Sequence, residues 1–495
     1  MKLSFCGLAG LLLLVGCASG PPKTAEVPAM PDLSTVSTML QEGTLTSESL
    51  VNELLKRIDQ KAELNAFISI NPEVAVIARQ RDEQRARGEV MGPLHGIPLV
   101  VKDNIHVAGM TNTAGTPGLQ NFGPRESNET VVALQGAGAI ILGKTNLHEL
   151  AFGITSSNTA FGAVGNPRDP ALFPGGSSGG TAAAIAAGLA PAGLGTDTGG
   201  SVRIPAALTG TAGFRPSPGR YPSNRVTPIS HTRDTVGVMA GNVTDLALLD
   251  RVITGQTGSD AAGMAVPEAA TIRLGIISEY YYSGLEAATA SVVTDALGRL
   301  RSAGVQLVEV SFPELGEQVG AGFPIALYEA REDLTTYLAR FQTGLTLSGL
   351  AEQVASPDVK GILGAVAGEQ PPVSEADYQG ALATIGQMQR QFETLFSDQQ
   401  LDAVIFPTTM LTARPIDGSL ETVELNGESV PTFPSYIRNT DPASLAGLPG
   451  VSFYAGDASN GLPVGLEIDG APGADAALLN VALRLEAILR SSGSE

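Results

Sequence analysis

The hydrophobic residues of the chain change their spacing at about residue 90. Before that point they recur once per helical turn: in TSESLVNELLKRI, Leu50, Leu54 and Ile58 share one side of a predicted helix, which Thr46 or Ser47 would cap. After it, short apolar runs alternate with glycine-rich turns and helical stretches; the runs are IPLVV, AIIL, IRLGII, VQLVEV, AVIF, GVSF and PVGLEI. Runs of this length predict buried strands of a mixed or largely parallel sheet that helices cover on both faces.

A final helical pattern and an even composition predict one large domain. From about Asp475 to Arg490, apolar residues lie at helical spacing, namely Leu478, Leu479, Ala482, Leu485 and Ile488. The sequence has no internal repeat and no second composition regime. Because 43% of the 495 residues are hydrophobic and 16% are charged, we expect a folded α/β domain over residues 34–495, with a helical region at about 285–400.

The first 33 residues follow neither pattern. MKLSFCGLAGLLLLVGC carries one cation, Lys2, and an apolar run too short to span a bilayer comfortably, which ends in LVGC at Cys17. This stretch resembles a bacterial lipoprotein signal, with residues 1–16 as the signal peptide and Cys17 as the lipidated first residue of the mature chain. The alternative is an ordinary secretory signal that contains a cysteine. Residues 17–33 are rich in proline and predict an extended tether.

A lipid on Cys17 would anchor an exported protein to a cell membrane on its periplasmic side. Residue 18 is Ala18 and not the aspartate that often marks inner-membrane retention, so in a Gram-negative source we expect the outer membrane. The chain's other cysteine, Cys6, lies in the segment that processing would remove. The mature chain would then have no thiol for catalysis, for a disulfide or for a Cys-metal site.

Charge and histidine content exclude further classes. Lys and Arg total 30 against 50 Asp and Glu, and a net charge of −20 repels phosphate backbones, so we expect no nucleic-acid partner. The chain has four histidines, and their spacing does not suggest a metal site; they are His95, His106, His148 and His231. We therefore expect neither a metal nor a cofactor, and we interpret these histidines as packing or surface residues.

Two motifs suggest chemistry that their surroundings do not support. GAIILGKT, residues 138–145, matches the phosphate-loop pattern, but its central AIIL is typical of a buried strand, which cannot wrap a phosphate. PGGSSGGTAAAIAAG, residues 174–188, contains G-x-S-x-G centred on both Ser177 and Ser178. A hydrolase elbow of that type needs a preceding apolar strand and a late histidine, whereas here a proline-rich loop precedes the serines and the last histidine is His231.

A serine nucleophile without histidine needs another base, and lysine is the usual substitute. Lys102 follows the apolar run 97–101 in HGIPLVVKDNI, where burial disfavours its charge. To be neutral near pH 7 its pKa must fall from about 10.4, at a cost of about 4 kcal/mol. An isolated lysine of this kind would more often reach out to water. A second serine, Ser201, follows Gly199 and Gly200 in GLGTDTGGSVRIPAA, where glycines let successive N–H groups converge as in an oxyanion hole.

These segments together resemble the amidase signature family. The resemblance covers KDN at 102–104, GGSSGG, GTDTGGS and the 24-residue interval from Ser177 to Ser201. It extends to GPLHGIPLVVKDNI, LGKTNLHELAFG, GFRPSPGRYP and LPVGLEIDGAPGAD, and so from about residue 45 to 490. The resemblance implies a single amidase-signature domain with a signature core at about 90–240, and a substrate pocket formed in part by the helical region.

The resemblance also implies roles for individual residues. Ser201 would attack an amide carbonyl, Ser177, after a cis peptide bond at Gly176, would pass the proton, and Lys102 would be the terminal base. Ammonia would leave and water would hydrolyse the acyl-enzyme. The developing oxyanion would be held by the backbone N–H groups of Thr198, Gly199, Gly200 and Ser201. We expect Ser178, Asp197 and Arg203 to support the site through hydrogen bonds or charge.

Other stretches bear on the substrate. NLHELAFGITSSN, FGAVGNPRDP, PISHTRDTVG and VASPDVKGIL resemble the indoleacetamide hydrolase branch, which implies a small primary amide with an aromatic or apolar acyl group. MAGN at 239–242 departs from the family, which usually has arginine in place of Gly241. Peptide amides stay open as substrates. Amidotransferase subunits that act on tRNA share the signature, but export and acidity argue against that role.

A second hypothesis is a ligand-binding lipoprotein that kept the fold and lost the chemistry. All three relay residues are present, which favours the enzyme. The sequence does not decide the oligomeric state.

Overall fold

The computed structural model of the chain describes residues 30–256 and 266–491. The predicted signal peptide, Cys17 and the tether up to residue 29 lie outside the described residues. Met30 packs against the hydrophobic core, and Leu33 is fully buried as the first residue of the first helix. The packed chain therefore includes the last residues that we assigned to the tether.

Strands and helices alternate along most of the chain. The strands of the described residues are β1 (Phe67–Ile70), β2 (Pro98–Lys102), β3 (Ile140–Thr145), β4 (Ala192–Asp197), β5 (Ala212–Arg215), β6 (Thr235–Ala240), β7 (Arg273–Ile276), β8 (Gln306–Glu309), β9 (Ala403–Pro407), β10 (Thr422–Leu425), β11 (Glu428–Pro431), β12 (Gly450–Asp457) and β13 (Pro463–Asp469). The helices are α1 (Leu33–Gln41), α2 (Ser47–Gln60), α3 (Val74–Ala86), α4 (Glu129–Gly136), α5 (Gly179–Ala186), α6 (Arg203–Thr209), α7 (Val243–Ile253), α8 (Ser278–Tyr281), α9 (Ala287–Ser302), α10 (Leu315–Gln318), α11 (Gly322–Arg340), α12 (Leu347–Gln353), α13 (Pro357–Val366), α14 (Glu375–Gln399), α15 (Thr432–Ile437), α16 (Asp441–Ala446) and α17 (Asp475–Ser491).

One mixed sheet organises the domain, as predicted. Eleven strands of the described chain pair in the order β1-β3-β2-β4-β6-β5-β12-β13-β9-β7-β8, and β10 and β11 form a separate hairpin. Neighbours of β2 and of β7 run parallel to them, and the remaining pairs are antiparallel. Each of the seven apolar runs that predicted a strand lies in one: β2, β3, β7, β8, β9, β12 and β13.

The predicted helices at the two ends are also confirmed. Thr46 caps α2 by accepting a hydrogen bond from Ser49 N, and α17 begins at Asp475 as the spacing predicted. Among the described residues, no helix combines the length and hydropathy needed to cross a membrane.

The motif that matches a phosphate loop folds as strand β3, in line with its apolar composition. Its lysine, Lys144, is fully buried and forms an ion pair with buried Asp103, with Nζ 2.8 Å from Oδ1. Lys144 therefore balances a charge inside the protein and is not available to a phosphate.

The three signature segments meet at one edge of the sheet. Lys102 is the last residue of β2 and Asp197 the last of β4, and these two strands are parallel neighbours, so their carboxyl ends lie side by side. Two helices start at the same edge, α5 after Ser178 and α6 at Arg203. Open α/β sheets characteristically carry their functional groups at this edge.

Candidate active site

Lys102 lies at the centre of a buried hydrogen-bonded group. Its side chain is fully buried, and Nζ lies 2.7 Å from Ser177 Oγ and 2.8 Å from Thr196 Oγ1. Strand β2 delivers Lys102, the turn before α5 delivers Ser177, and β4 delivers Thr196. The structure thus brings together Lys102 and Ser177, the base and the bridging serine of the predicted relay.

The environment of Lys102 favours its neutral form. Burial lowers the pKa of Lys102 from 10.5 to about 7, although the carboxylates of Asp197 and Asp234 act to raise it. A lysine base that works at neutral pH requires a pKa lowered to this extent. An amine with a pKa near neutrality can both accept and return a proton during one catalytic cycle.

Ser177 and Ser201 lie in adjoining segments. The peptide bond between Gly176 and Ser177 is cis, and Ser178 N donates a hydrogen bond to Ser201 O at 3.1 Å. The hydrogen bonds of the described residues do not include one between the two serine hydroxyls. Such contacts are often long in unliganded enzymes and tighten with substrate, so the geometry is compatible with a relay.

The turn before Ser201 presents unpaired backbone donors. The N–H groups of Thr198, Gly199 and Ser201 make no hydrogen bond to other described residues, and all three residues line a pocket. Gly200 departs from the prediction, because its N–H donates to Asp197 Oδ1 at 2.8 Å and is already paired. Three of the four predicted N–H groups therefore remain for an oxyanion.

Gly200 is needed for its backbone conformation. Its φ is +129°, and a Cβ atom there would lie 2.1 Å from Thr440 Oγ1. Any other residue would strain the backbone and collide with this hydroxyl. The glycine thus shapes the turn and does not supply an oxyanion donor.

Asp197 is the anchor of this turn. Besides Gly200 N, it accepts hydrogen bonds from Arg203 Nε at 3.0 Å, from Arg203 Nη2 at 2.9 Å and from Arg215 Nη1 at 3.0 Å. Burial acts to raise the pKa of Asp197, but Arg203 and Arg215 outweigh it and hold that pKa well below its usual range. Asp197 is therefore ionised. Its contacts are those of a positioning residue, and so are those of Arg203, which balances its charge.

Ser178 supports the site by linking the start of α5 to strand β4. Its Oγ donates to Thr196 O at 3.2 Å and accepts from Thr196 N at 3.3 Å, which ties the start of α5 to β4. Ser178 is fully buried. This contact holds the neighbouring Ser177 next to the edge of the sheet.

A small apolar pocket of about 100 Å³ opens in front of Ser201. Its walls come from the segment 151–154 and from helices α11, α13 and α15, and they include Phe152, Ile154, Ile229, Phe323, Ala326, Leu327, Ile362, Phe433 and Ile437. The polar side chains in the pocket, besides those of Thr198 and Ser201, are Arg233 and Asp441, which form an ion pair. The predicted helical region thus contributes pocket walls through α11 and α13.

The chain matches the Amidase family over residues 49–479. It belongs to this family. Mandelamide hydrolase of Pseudomonas putida is 42% identical over 479 residues, which cover 92% of this chain and 91% of the relative. Indoleacetamide hydrolase of Agrobacterium vitis is 41% identical over 440 residues, which cover 88% of this chain and 92% of the relative.

The fold is shared with a solved amidase structure. The peptide amidase of Stenotrophomonas maltophilia superposes with a TM-score of 0.81 at 30% identity, covering 93% of this chain and 97% of that one. The protein is accordingly an amidase: it hydrolyses the carbon–nitrogen bond of a small amide.

The histidines of the amidase have structural partners. His148 Nε2 lies 2.9 Å from Asp358 Oδ2, and His148 N donates to Ser177 O at 3.2 Å. His106 Nε2 lies 2.8 Å from Tyr337 Oη. These two histidines pack other elements against the signature core.

One group of side chains in the described part of the amidase could hold a metal ion: His231, Glu329 and Asp333, whose ligand atoms lie within 4.8 Å of one another. Histidine spacing alone does not reveal this group, because Glu329 and Asp333 lie one turn apart on α11 whereas His231 lies in the loop between β5 and β6. Glu329 already accepts hydrogen bonds from the side chains of Ser230, Thr232 and Tyr378.

Several residues of the amidase site were not predicted from the sequence. Thr196 accepts a hydrogen bond from Lys102, and Arg215 forms an ion pair with Asp197. Glu467 forms an ion pair with Arg203, with Oε1 2.5 Å from Nη1. A charged residue at the end of an apolar strand, as in AGFR and VGLEID, is the signal that could have identified Arg215 and Glu467. Nothing local marks Asp441, which reaches the pocket only through the fold.

Proposed function

We propose that this amidase cleaves small primary aryl-acetamides through an acyl-enzyme on Ser201, with Ser177 and Lys102 as the proton relay. The observation that carries the proposal is the 2.7 Å contact between Lys102 Nζ and Ser177 Oγ in a buried setting. A lysine with a pKa of about 7 beside a serine hydroxyl is a base matched to neutral pH.

In the first half-reaction, Ser201 Oγ attacks the amide carbonyl carbon. Its proton passes to Ser177, whose own proton passes to neutral Lys102. The N–H groups of Thr198, Gly199 and Ser201 stabilise the oxyanion. The proton then returns through Ser177 to the amide nitrogen, the carbon–nitrogen bond breaks, and ammonia leaves.

In the second half-reaction, water attacks the ester formed on Ser201. The same relay removes a proton from this water and returns it to Ser201 Oγ when the carboxylic acid leaves. Each residue of the relay finishes the cycle in the protonation state in which it began, so no cofactor is required.

The pocket supports an acyl group with one aromatic ring. Its walls are apolar, and the exposed Phe323 and Phe433 flank it. A cavity of about 150 Å³ lined by aliphatic and aromatic side chains accommodates benzene. The pocket in front of Ser201 is partly open and lined by the same kinds of side chain, so its lining suits an aromatic acyl group. The relatives named for mandelamide and indoleacetamide support an aryl-acetamide.

Replacing Ser201 with alanine is expected to reduce ammonia release from phenylacetamide, mandelamide and indole-3-acetamide by about 10,000-fold or more, because the attacking oxygen is removed. Purified protein would be assayed for ammonia under matched conditions. Ser157→Ala provides the control, since Ser157 lies outside the relay and is half-buried. Ammonia release that persists in Ser201→Ala would falsify the assignment of the nucleophile.

We also propose that the amidase is exported and lipid-anchored through Cys17. This rests on the sequence of residues 1–17 alone: one cation, a short apolar run and LVGC. In a Gram-negative host, Ala18 favours the outer membrane.

Replacing Cys17 with serine is expected to abolish incorporation of labelled palmitate and to move the protein from the membrane fraction to the soluble fraction, because the acceptor thiol is lost. The measurement uses the full chain expressed in a bacterial host. Cys6→Ser is the matched control and should keep the label, since Cys6 lies within the signal peptide. Label that remains on the Cys17→Ser chain would contradict the anchor.

A further inference from the structure

The carboxylate of Asp234 links the turn that carries the oxyanion donors to the wall of the pocket. Its Oδ1 accepts a hydrogen bond from Thr198 Oγ1 at 2.6 Å, and its Oδ2 accepts from Ile229 N at 2.8 Å and from Ser230 N at 3.0 Å. Thr198 carries one of the three unpaired N–H groups, and Ile229 lines the pocket. One side chain therefore ties a donor for the oxyanion to a residue of the pocket wall.

The sheet brings this carboxylate to the turn. Strands β4 and β6 pair antiparallel with Asp197 opposite Thr235, so Thr198 and Asp234 are the next residues beyond the paired ends. Asp234 N also donates to Ser230 O at 2.8 Å, which closes the loop before β6. The fold thus places Asp234 beside Thr198 before any substrate binds.

The charge of Asp234 has no cationic partner among the described residues, because its three hydrogen bonds come from a hydroxyl group and two backbone N–H groups. Asp197, by contrast, forms ion pairs with Arg203 and Arg215. Burial raises the pKa of Asp234, although the three hydrogen bonds act to lower it. Hydrogen bonds of this kind favour an ionised carboxylate.

This charge acts on the base of the relay. Asp197 and Asp234 are the two carboxylates that raise the pKa of Lys102 against the effect of burial. The carboxylate next to Lys102 in the chain, that of Asp103, is paired with Lys144. Removing the charge of Asp234 is therefore expected to lower the pKa of Lys102 further.

We infer that Asp234 is a positioning residue for amide hydrolysis, which holds Thr198 and its oxyanion donor against the pocket wall and keeps a negative charge that acts on Lys102. The inference rests on the proposed function. Asp234 itself is not among the described residues that line the pocket, so it acts through these two residues and not on the substrate.

The test is Asp234→Asn, which keeps the shape of the side chain and an acceptor for the two N–H groups but removes the charge. The measurement is kcat/KM for phenylacetamide between about pH 5 and pH 9, on either side of the pKa of Lys102. At pH 8 we expect a fall of about 10- to 100-fold, because the oxyanion donor is less well placed. We also expect the midpoint of the rise in kcat/KM to move about one pH unit lower, because Lys102 stays neutral to lower pH.

A pair of substitutions at Thr198 separates the two effects and does not depend on the folding of Asp234→Asn. Thr198→Val removes the hydroxyl group that Asp234 holds and keeps the charge. It should lower kcat/KM and leave the midpoint at the wild-type pH. Thr198→Ser restores the hydroxyl group and should restore most of the rate.

Asp82→Asn is the matched control. Asp82 is half-buried in α3 and accepts hydrogen bonds from two consecutive N–H groups, Ser47 N at 2.8 Å and Glu48 N at 2.9 Å. It therefore resembles Asp234 in its backbone contacts but lies outside the signature core. Its substitution should change neither kcat/KM nor the midpoint.

The outcomes distinguish this inference from the proposed function. An Asp234→Asn protein that is less active at an unchanged midpoint would reduce Asp234 to a structural residue and overturn the inference. Wild-type activity in Thr198→Val would also overturn it. Both results would leave the acyl-enzyme mechanism intact, whereas a wild type that does not hydrolyse amides would overturn the proposed function and the inference with it.

Discussion

Replacing Lys102 with methionine is expected to reduce amide hydrolysis by at least about 1,000-fold and, at neutral pH, to make the folded protein more stable. The expected loss of activity follows from the loss of the base in the proposed relay. The gain in stability follows from burial, because the wild type must keep an ionisable amine in a place where its charge is disfavoured. Methionine fills a similar volume without a charge.

The size and sign of the effect follow from the pKa of Lys102. Its fall from 10.5 to about 7 corresponds to about 5 kcal/mol between the two protonation states. Between these pH values the unfolded chain binds the proton and the folded chain does not, so wild-type stability rises with pH. The advantage of Lys102→Met is therefore largest below pH 7 and disappears near pH 10.5. Because the substitution also removes the hydrogen bonds to Ser177 and Thr196, we expect the free energy of unfolding at pH 7 to rise by about 2–4 kcal/mol.

Urea denaturation at pH 7 and pH 10, together with ammonia release, measures both effects. Lys144→Met is the matched control, since Lys144 is equally buried but forms an ion pair with Asp103. Breaking that pair should destabilise the fold by about 3–5 kcal/mol. In the wild type, kcat/KM should rise with pH through about 7, because neutral Lys102 is the active form. A Lys102→Met protein that is less stable than the wild type at pH 7 would contradict this account.

Replacing Asp197 with asparagine is expected to destabilise the protein by about 3–5 kcal/mol, because it leaves Arg203 and Arg215 buried with less compensating charge. Activity should fall as well, since Asp197 holds the turn that carries Gly199 and Ser201. The measurement is urea denaturation with the wild type at the same pH, followed by the ammonia assay under native conditions.

Glu48→Gln is a suitable control for the loss of one carboxylate. Glu48 pairs with Arg79, but about half of each side chain is exposed, and such pairs contribute at most about 1 kcal/mol. If Asp197→Asn and Glu48→Gln had the same small effect on stability, the buried network around Arg203 would not support the site as argued.

The apolar runs predicted the strands on both sides of the sheet's centre, whereas β4, β6 and β5 at the centre and β1 at one edge were missed. In β4, the sequence AGLGTD offers no hydrophobic alternation, because glycine is required by packing. A Cβ atom at Gly193 would lie 2.6 Å from Val100 O, and one at Gly195 would lie 2.7 Å from Ser178 Oγ. Where a helix and a neighbouring strand approach this closely, side-chain patterns disappear and strand prediction fails.

The relay residues could be located from sequence because each lies in a short, distinctive segment. The pocket was predicted only in part, through the helical region that carries α11 and α13, since its ion pair joins residues 208 positions apart. The pairing of Gly200 N–H with Asp197 is a further detail that spacing cannot reveal, because it depends on which way a single peptide group faces. Short sequence motifs identify the candidate catalytic residues, and tertiary contacts decide which of their polar groups are free to bind a substrate.

Lys102, Ser177 and Ser201 are held by the sheet and the turns at its edge, while much of the pocket wall belongs to α11, α13 and α15. In the proposed mechanism, bond cleavage and acyl choice therefore belong to separate layers of one domain. Evolution or protein engineering can exchange helical segments to obtain a new amide preference and leave proton transfer untouched.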